Sequence, residues 1–206
     1  MKLREKQMAE TRRAILEAVA VEIAESGLTG FSIQGVADRA GVTHRTVYNY
    51  FPTREALSDA FAEHVEALFA EQGGVPPEQG VGVAALPVVA GEAHALFDAH
   101  AAHIEAYVLM TIATGTAARV FSDRSRRMEK LIDEEFGPLE PGVARLVTSA
   151  VRMFISSAGW FLLSKHHGLS PAEAGRVSEW AVKVLLDAAR SGDVPKRLDE
   201  GEKTDA

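Results

Sequence analysis

The stretch Phe31 to Leu57, FSIQGVADRAGVTHRTVYNYFPTREAL, decides the reading of this chain. Ser32 is a capping residue placed before a short helical run, Ile33 to Ala40, with Val36 and Ala37 turned inward. Gly41 breaks that run, because a sharp turn with positive φ is free only for glycine. Thr43 then caps a second short helix, His44 to Tyr50, and Pro52 ends it. Val36, Ala37, Val42 and Val47 are placed to pack the two helices together. Such a pair reads as a helix-turn-helix, whose second helix enters a DNA major groove by its N-terminal end.

The residue types on the second helix suit nucleic acid. Backbone N–H groups and the positive dipole end at Thr43 to Arg45 favour phosphate or base-edge acceptors. The hydroxyls of Thr43 and Tyr48 can donate to phosphate oxygens. Arg45 can make a two-pronged contact to guanine, and Asn49 can pair with adenine if it faces the groove. A pair of helices that merely packs would not need these groups.

Working outward, the periodicity stays helical and no strand-like alternation stands out. A first helix covers Glu5 to Glu25, with Ile15, Leu16, Val19 and Ile23 as its apolar stripe, and Ser26-Gly27 stops it. Thr53 starts a fourth helix through Leu57, Phe61, Val65 and Leu68. Residues 72–82 form a Gly/Pro linker. Helical stretches follow at 83–102, bent at Pro87, then 103–113, 117–136 and 141–167. The helix 171–190 opens on a capping box, with Ser170, Pro171 and Glu173 in place. The fold class expected is all-α with about nine helices. A helix-turn-helix domain at 1–52 precedes a helical domain at 53–190 and a flexible tail at 191–206.

Composition narrows the function classes. Apolar residues make up 47% and charged residues 25%, which excludes a disordered or collagen-like chain. With no cysteine, disulfides, thiolate metal sites and cysteine nucleophiles are excluded. No run is long and apolar enough for a membrane span, and the start MKLREKQMAETRR lacks a signal-peptide core, so a cytoplasmic protein is expected. The net charge is −7. It falls wholly on residues 61–206, since residues 1–60 are neutral, so an anionic partner of the first sixty residues is compatible with it. Lys2, Arg4 and Lys6 are either a solvated start or an arm that touches phosphate.

The segment resembles the TetR family of one-component bacterial regulators. The resemblance rests on Val36-Ala37, Ala40-Gly41-Val42-Thr43, Tyr48-Asn49-Tyr50-Phe51 and Arg54-Glu55-Ala56-Leu57, and covers about residues 10–60. It implies phosphate contacts from Thr43, Tyr48, Tyr50, Thr53 and Arg54, with Ser32 as a further one, and base reading by His44, Arg45 and Thr46. Two departures stand out. Arg45 occupies a position that is usually small in the family. Gly35 lies inside a helix, where it costs about 1 kcal/mol relative to alanine. The resemblance also implies a repressor that binds a palindromic double-stranded operator as a homodimer and is released by a small-molecule effector.

The C-terminal stretches fit that expectation. In 141–167 one apolar row runs Val143, Val147, Ala150, Phe154, Ala158, Phe161, and a second runs Leu146, Met153, Trp160, Leu163. In 171–190, Val177, Trp180 and Val184 form one of two rows. A helix with two apolar faces needs two partners, one of which is a second subunit or simply more core. Candidate effector-pocket residues are Phe61, His64, Phe97, His100, Tyr107, Met110, Phe121, Met128, Phe154 and Trp160, each also compatible with plain core. His100 and His103 have metal-ligand spacing but no evident third partner, so no metal and no cofactor is expected. Neither an oriented nucleophile nor a phosphate-cradling glycine loop is apparent, so no enzyme is expected.

Overall fold

The computed structural model describes residues 3–71, 82–114, 117–137 and 142–195, and the side chains of 70 and 117–124 lie outside that description. Ten α-helices, and no strand, are found among the described residues. They are α1 (Leu3–Gly30), α2 (Ile33–Ala40), α3 (His44–Tyr50), α4 (Arg54–Glu71), α5 (Leu86–Ala99), α6 (Ala101–Thr114), α7 (Ala117–Phe136), α8 (Val143–Ile155), α9 (Ser157–Trp160) and α10 (Pro171–Arg190). Lys2, most of the linker and residues 196–206 of the expected tail lie outside the described residues. No single described helix is long and apolar enough to cross a membrane.

The chain divides into two compact units. One holds residues 1–75 and 97–120 and the other holds 76–96 and 121–206. In the first, α1 packs against α2, α4 and α6. Ile15, Leu16, Val19 and Ile23 of α1 are fully buried, as the spacing predicts, with Val36, Leu57 and Phe61. Gly27, at φ 65°, interrupts the helical path of α1 where Ser26-Gly27 was expected to stop it.

A buried acid organises the joint between α1 and α2. Glu22 is buried, and its carboxylate accepts from Arg39 Nε at 2.7 Å and from the Ser32 hydroxyl at 3.3 Å. Arg39 also pairs with Glu25 at 2.8 Å. Gly35 faces the Glu22 carboxylate so closely that a Cβ would overlap it. This glycine is therefore a clearance, and more than a helix penalty. Gly35→Ala is expected to destabilise the first unit by about 1–3 kcal/mol, read from the urea midpoint. In a Glu22→Ala background the further cost of Gly35→Ala should be much smaller, and strictly additive costs would contradict the overlap.

In the second unit the core gathers Leu86, Val89 and Ala90 of α5, Met128 and Ile132 of α7, Val143, Val147 and Val151 of α8, and Val182 and Leu186 of α10. The capping box of α10 forms as expected, the Glu173 N–H donating to Ser170 Oγ and the Ser170 N–H to Glu173 Oε2. His94 of α5 is fully buried, with Nε2 2.7 Å from Ser178 Oγ and 3.1 Å from the Phe154 carbonyl. Burial pushes the His94 pKa below its ordinary value, against the smaller upward pull of that carbonyl. The folded state therefore holds its full stability above the ordinary histidine pKa of about 6.5. It loses stability as the pH falls from there towards the lowered folded value, because only the unfolded chain takes up the proton. Urea midpoints measured against pH should drop through that window less for His94→Gln than for the native chain.

Two helix boundaries differ from expectation. Pro87 does not bend a helix. It sits in the first turn of α5, where its missing N–H costs nothing, and the break comes at His100. The stretch 141–167 is not one helix either. Ser156 takes an extended conformation (φ −83°, ψ 159°), and its hydroxyl accepts from the Gly159 N–H at 3.1 Å, capping α9. The axis bends by 51° between Val143–Ile155 and Ser157–His166, and residues Phe161–His166 continue as a π-helical turn. Gly159 is needed because a Cβ would collide with the Met153 carbonyl across the bend. The two long apolar rows therefore do not run on through Ser156.

Candidate nucleic-acid interface

The turn between α2 and α3 follows from Gly41, which adopts the left-handed conformation (φ 66°, ψ 31°), while the Val42 N–H donates to the Ala37 carbonyl at 3.0 Å. Thr43 caps α3 by accepting from the Thr46 N–H at 3.1 Å, and the two threonine hydroxyls lie 2.8 Å apart. Val47 alone is fully buried on α3 and fixes its rotation.

At 100° per residue, Arg45 and Asn49 then lie about 160° round from Val47 and point away from the unit. Both are exposed. His44 and Tyr48 share one flank, with rings in an edge-on contact at 4.9 Å, and both are exposed. Thr46 and Tyr50 share the other flank and are half-buried. Tyr50 leans on Phe51, whose ring is covered by the Arg12 guanidinium at 5.6 Å.

The start of α4 lies beside this face in the chain. The Thr53 hydroxyl accepts from the Ala56 N–H at 3.1 Å, and Arg54 is exposed with its guanidinium 5.9 Å from the Phe31 ring. Ser32 behaves differently from the rest. Its hydroxyl accepts from the Gly35 N–H at 3.0 Å and donates to Glu22, so its proton is already committed.

The candidate pocket residues fall in both units. In the first, Phe61, Phe97, Tyr107 and Met110 are buried, and Phe69 of α4 meets Phe97 and His100 edge-on at 5.7 and 5.6 Å. In the second, Met128 and Trp160 are buried and Phe154 is half-buried, while the Phe121 side chain lies outside the described residues. Three buried polar atoms of the second unit, Thr148 Oγ1, Trp160 Nε1 and Ser164 Oγ, have no hydrogen-bond partner among the described residues.

Of the candidate dimer residues, Val143 and Val147 lie in the second unit's own core. Ala150, Phe154, Ala158, Phe161 and Val177 are half-buried, and Trp180 and Val184 are 66% and 47% exposed. Met153 and Leu162 are exposed as well.

The sequence reading missed one cluster. Glu17 of α1 accepts from His64 Nε2 of α4 at 2.9 Å and from His103 Nε2 of α6 at 2.8 Å. One potential ligand atom from each residue lies within 4.8 Å of the others. Burial raises the Glu17 pKa, but the hydrogen bonds of His103 and His64 outweigh it and hold the carboxyl below its usual range. Their help to the folded state is present above the usual carboxylate pKa and is lost as the pH falls through the lowered one.

Comparisons agree with this geometry. Residues 15–61 match the model of the family described as bacterial regulatory proteins, tetR family. No curated protein matches the chain. Among solved structures, a TetR-family transcriptional regulator from Mesorhizobium loti is 18% identical with a TM-score of 0.57, over 87% of this chain and 96% of that one. A transcriptional regulator from Streptomyces coelicolor is 19% identical with a TM-score of 0.52, over 91% and 99%. A ketosteroid transcriptional regulator of Mycobacterium tuberculosis is 19% identical with a TM-score of 0.55, over 90% and 95%. At these identities the structural likeness speaks for the fold, and the match over residues 15–61 speaks for that segment. Residues 15–61, the helix-turn-helix segment, are thus similar to the tetR family of bacterial regulatory proteins, and the chain has the fold that these solved structures share.

Proposed function

We propose that this chain is a dimeric repressor that binds a palindromic duplex operator through α3 and is released by a small-molecule effector. The observation that carries the reading is the outward face of α3. Val47 anchors the helix while Arg45 and Asn49 stand opposite it, exposed, with His44 and Tyr48 beside them. Those groups match base edges and phosphates. Thr43, Tyr48, Tyr50, Thr53 and Arg54 serve as phosphate anchors, and His44, Arg45, Thr46 and Asn49 read bases. Ser32 contributes by holding the start of α2.

A single helix-turn-helix reads a short half-site, so two copies are needed for a specific operator. Exposed Trp180 and Val184 on α10, with half-buried Val177, Ala150, Phe154, Ala158 and Phe161, supply an apolar face for the second copy. Buried polar atoms without partners among the described residues, on Thr148, Trp160 and Ser164, are groups that an effector in the second unit would satisfy. In this reading residues 1–52 form the DNA-binding domain and 53–190 the effector and dimer domain.

The test compares two substitutions on the duplex the chain selects from a random library. Arg45→Ala should weaken binding to that duplex by about 1–3 kcal/mol and relax one base position. Tyr48→Phe should weaken selected and random duplexes alike. Equal losses on both duplexes for Arg45→Ala would remove it from base reading. No binding to any duplex by the native chain would refute the function.

A further inference from the structure

We propose that Glu17, His64 and His103 form a binding site for one divalent transition-metal ion of the zinc class. The three residues come from three helices of the first unit, α1, α4 and α6, far apart in the chain. Both histidines aim the same atom, Nε2, at the two oxygens of one carboxylate, at 2.9 and 2.8 Å. The imidazole rings stand 6.2 Å apart, centre to centre.

A tetrahedral zinc ion with bonds of about 2.0–2.2 Å needs ligand atoms roughly 3.3 Å apart. Here those atoms are already within 4.8 Å of one another. To admit the ion the carboxylate must draw back about half an ångström from each ring nitrogen, while the widest pair of ligand atoms, within 4.8 Å, closes towards that spacing. Access is open, since the Glu17 side chain is 45% exposed and those of His64 and His103 are 17% and 20% exposed.

The donor set selects the ion. Two imidazoles and one carboxylate suit zinc, cobalt or nickel, whereas magnesium and calcium take oxygen ligands. Three protein ligands leave a fourth position for water. Binding uses the Nε2 lone pairs. Each neutral ring moves its proton from Nε2 to Nδ1, and a doubly protonated ring releases its Nε2 proton to solvent. The bound ion would tie α4, which begins at Arg54, to α1 and α6.

The site is independent of the DNA-binding reading and is tested without DNA. Isothermal titration of the full chain with zinc chloride should show one saturable ion per chain at micromolar affinity or tighter. His64→Ala and His103→Ala should each weaken it by more than the roughly 10–100-fold that loss of an outer-shell partner costs. Removing the exposed histidines His166 and His167 of the second unit should leave affinity unchanged. No saturable zinc, or affinity retained without His64 and His103, would show a hydrogen-bonded staple only and overturn the proposal. Should either alanine variant fail to fold, nitrogen NMR of the native chain decides. Zinc must then shift the His64 and His103 imidazole signals, and signals that stay put overturn the site.

Discussion

A chain carrying Trp180→Glu and Val184→Glu is expected to sediment as a monomer and to lose about 10²–10⁴-fold in operator affinity. The size of the loss comes from linkage: in a dimer the second helix-turn-helix binds a site it is already held beside, and a monomer forfeits that effective concentration. The substitutions are chosen so that folding is not the cause. Both side chains are exposed, on α10, whose start is held by the Ser170–Glu173 capping box. The opposite side of α10, Val182 and Leu186, keeps its place in the core. Two carboxylates one turn apart on an apolar patch repel their copies across a twofold axis and cannot be buried unpaired. Unchanged helix content by circular dichroism, weak residual binding to random duplex and a monomeric sedimentation coefficient are the expected set. A dimer that survives both glutamates would place the subunit contact elsewhere.

Trp160→Ala should cost about 3–5 kcal/mol, read from urea unfolding. Trp160 is fully buried, just beyond the Ser156 bend, with the Lys165 ammonium 5.8 Å from its ring. Removing the indole leaves a large void that the short α9 and the π-helical turn can fill only in part. Trp160→Phe should cost clearly less, because it keeps most of the volume and deletes a buried N–H that has no partner among the described residues. Equal costs for the two variants would mean that packing is not what Trp160 contributes.

The helix-turn-helix was legible because its signals are local. Ser32, Gly41 and Thr43 act within four residues of themselves, as caps and a left-handed turn. Val36, Ala37 and Val47 show their inward face by spacing alone. The family resemblance at Phe31–Leu57 lies inside the matched segment 15–61. What escaped the reading depends on contacts across the chain. Gly35 reads as a helix defect until Glu22, thirteen residues earlier, is seen lying against it. Ser156 lies inside the expected helical stretch 141–167, whereas in the fold its hydroxyl caps a new helix. The partners of Glu17 lie 47 and 86 residues away, so no spacing rule on one helix could join them. His100 and His103 had the ligand spacing but are split by the α5–α6 break.

The most direct test of the account is selection of bound sequences from a random duplex library, scored at two salt concentrations. A palindromic consensus is expected, with half-sites about one helical turn, or a multiple of it, apart. Affinity should fall with salt in proportion to the number of phosphates neutralised, with the consensus retained at the higher salt. Recovery of no consensus, with binding that is weak and vanishes as salt rises, would contradict the claim that α3 reads an operator.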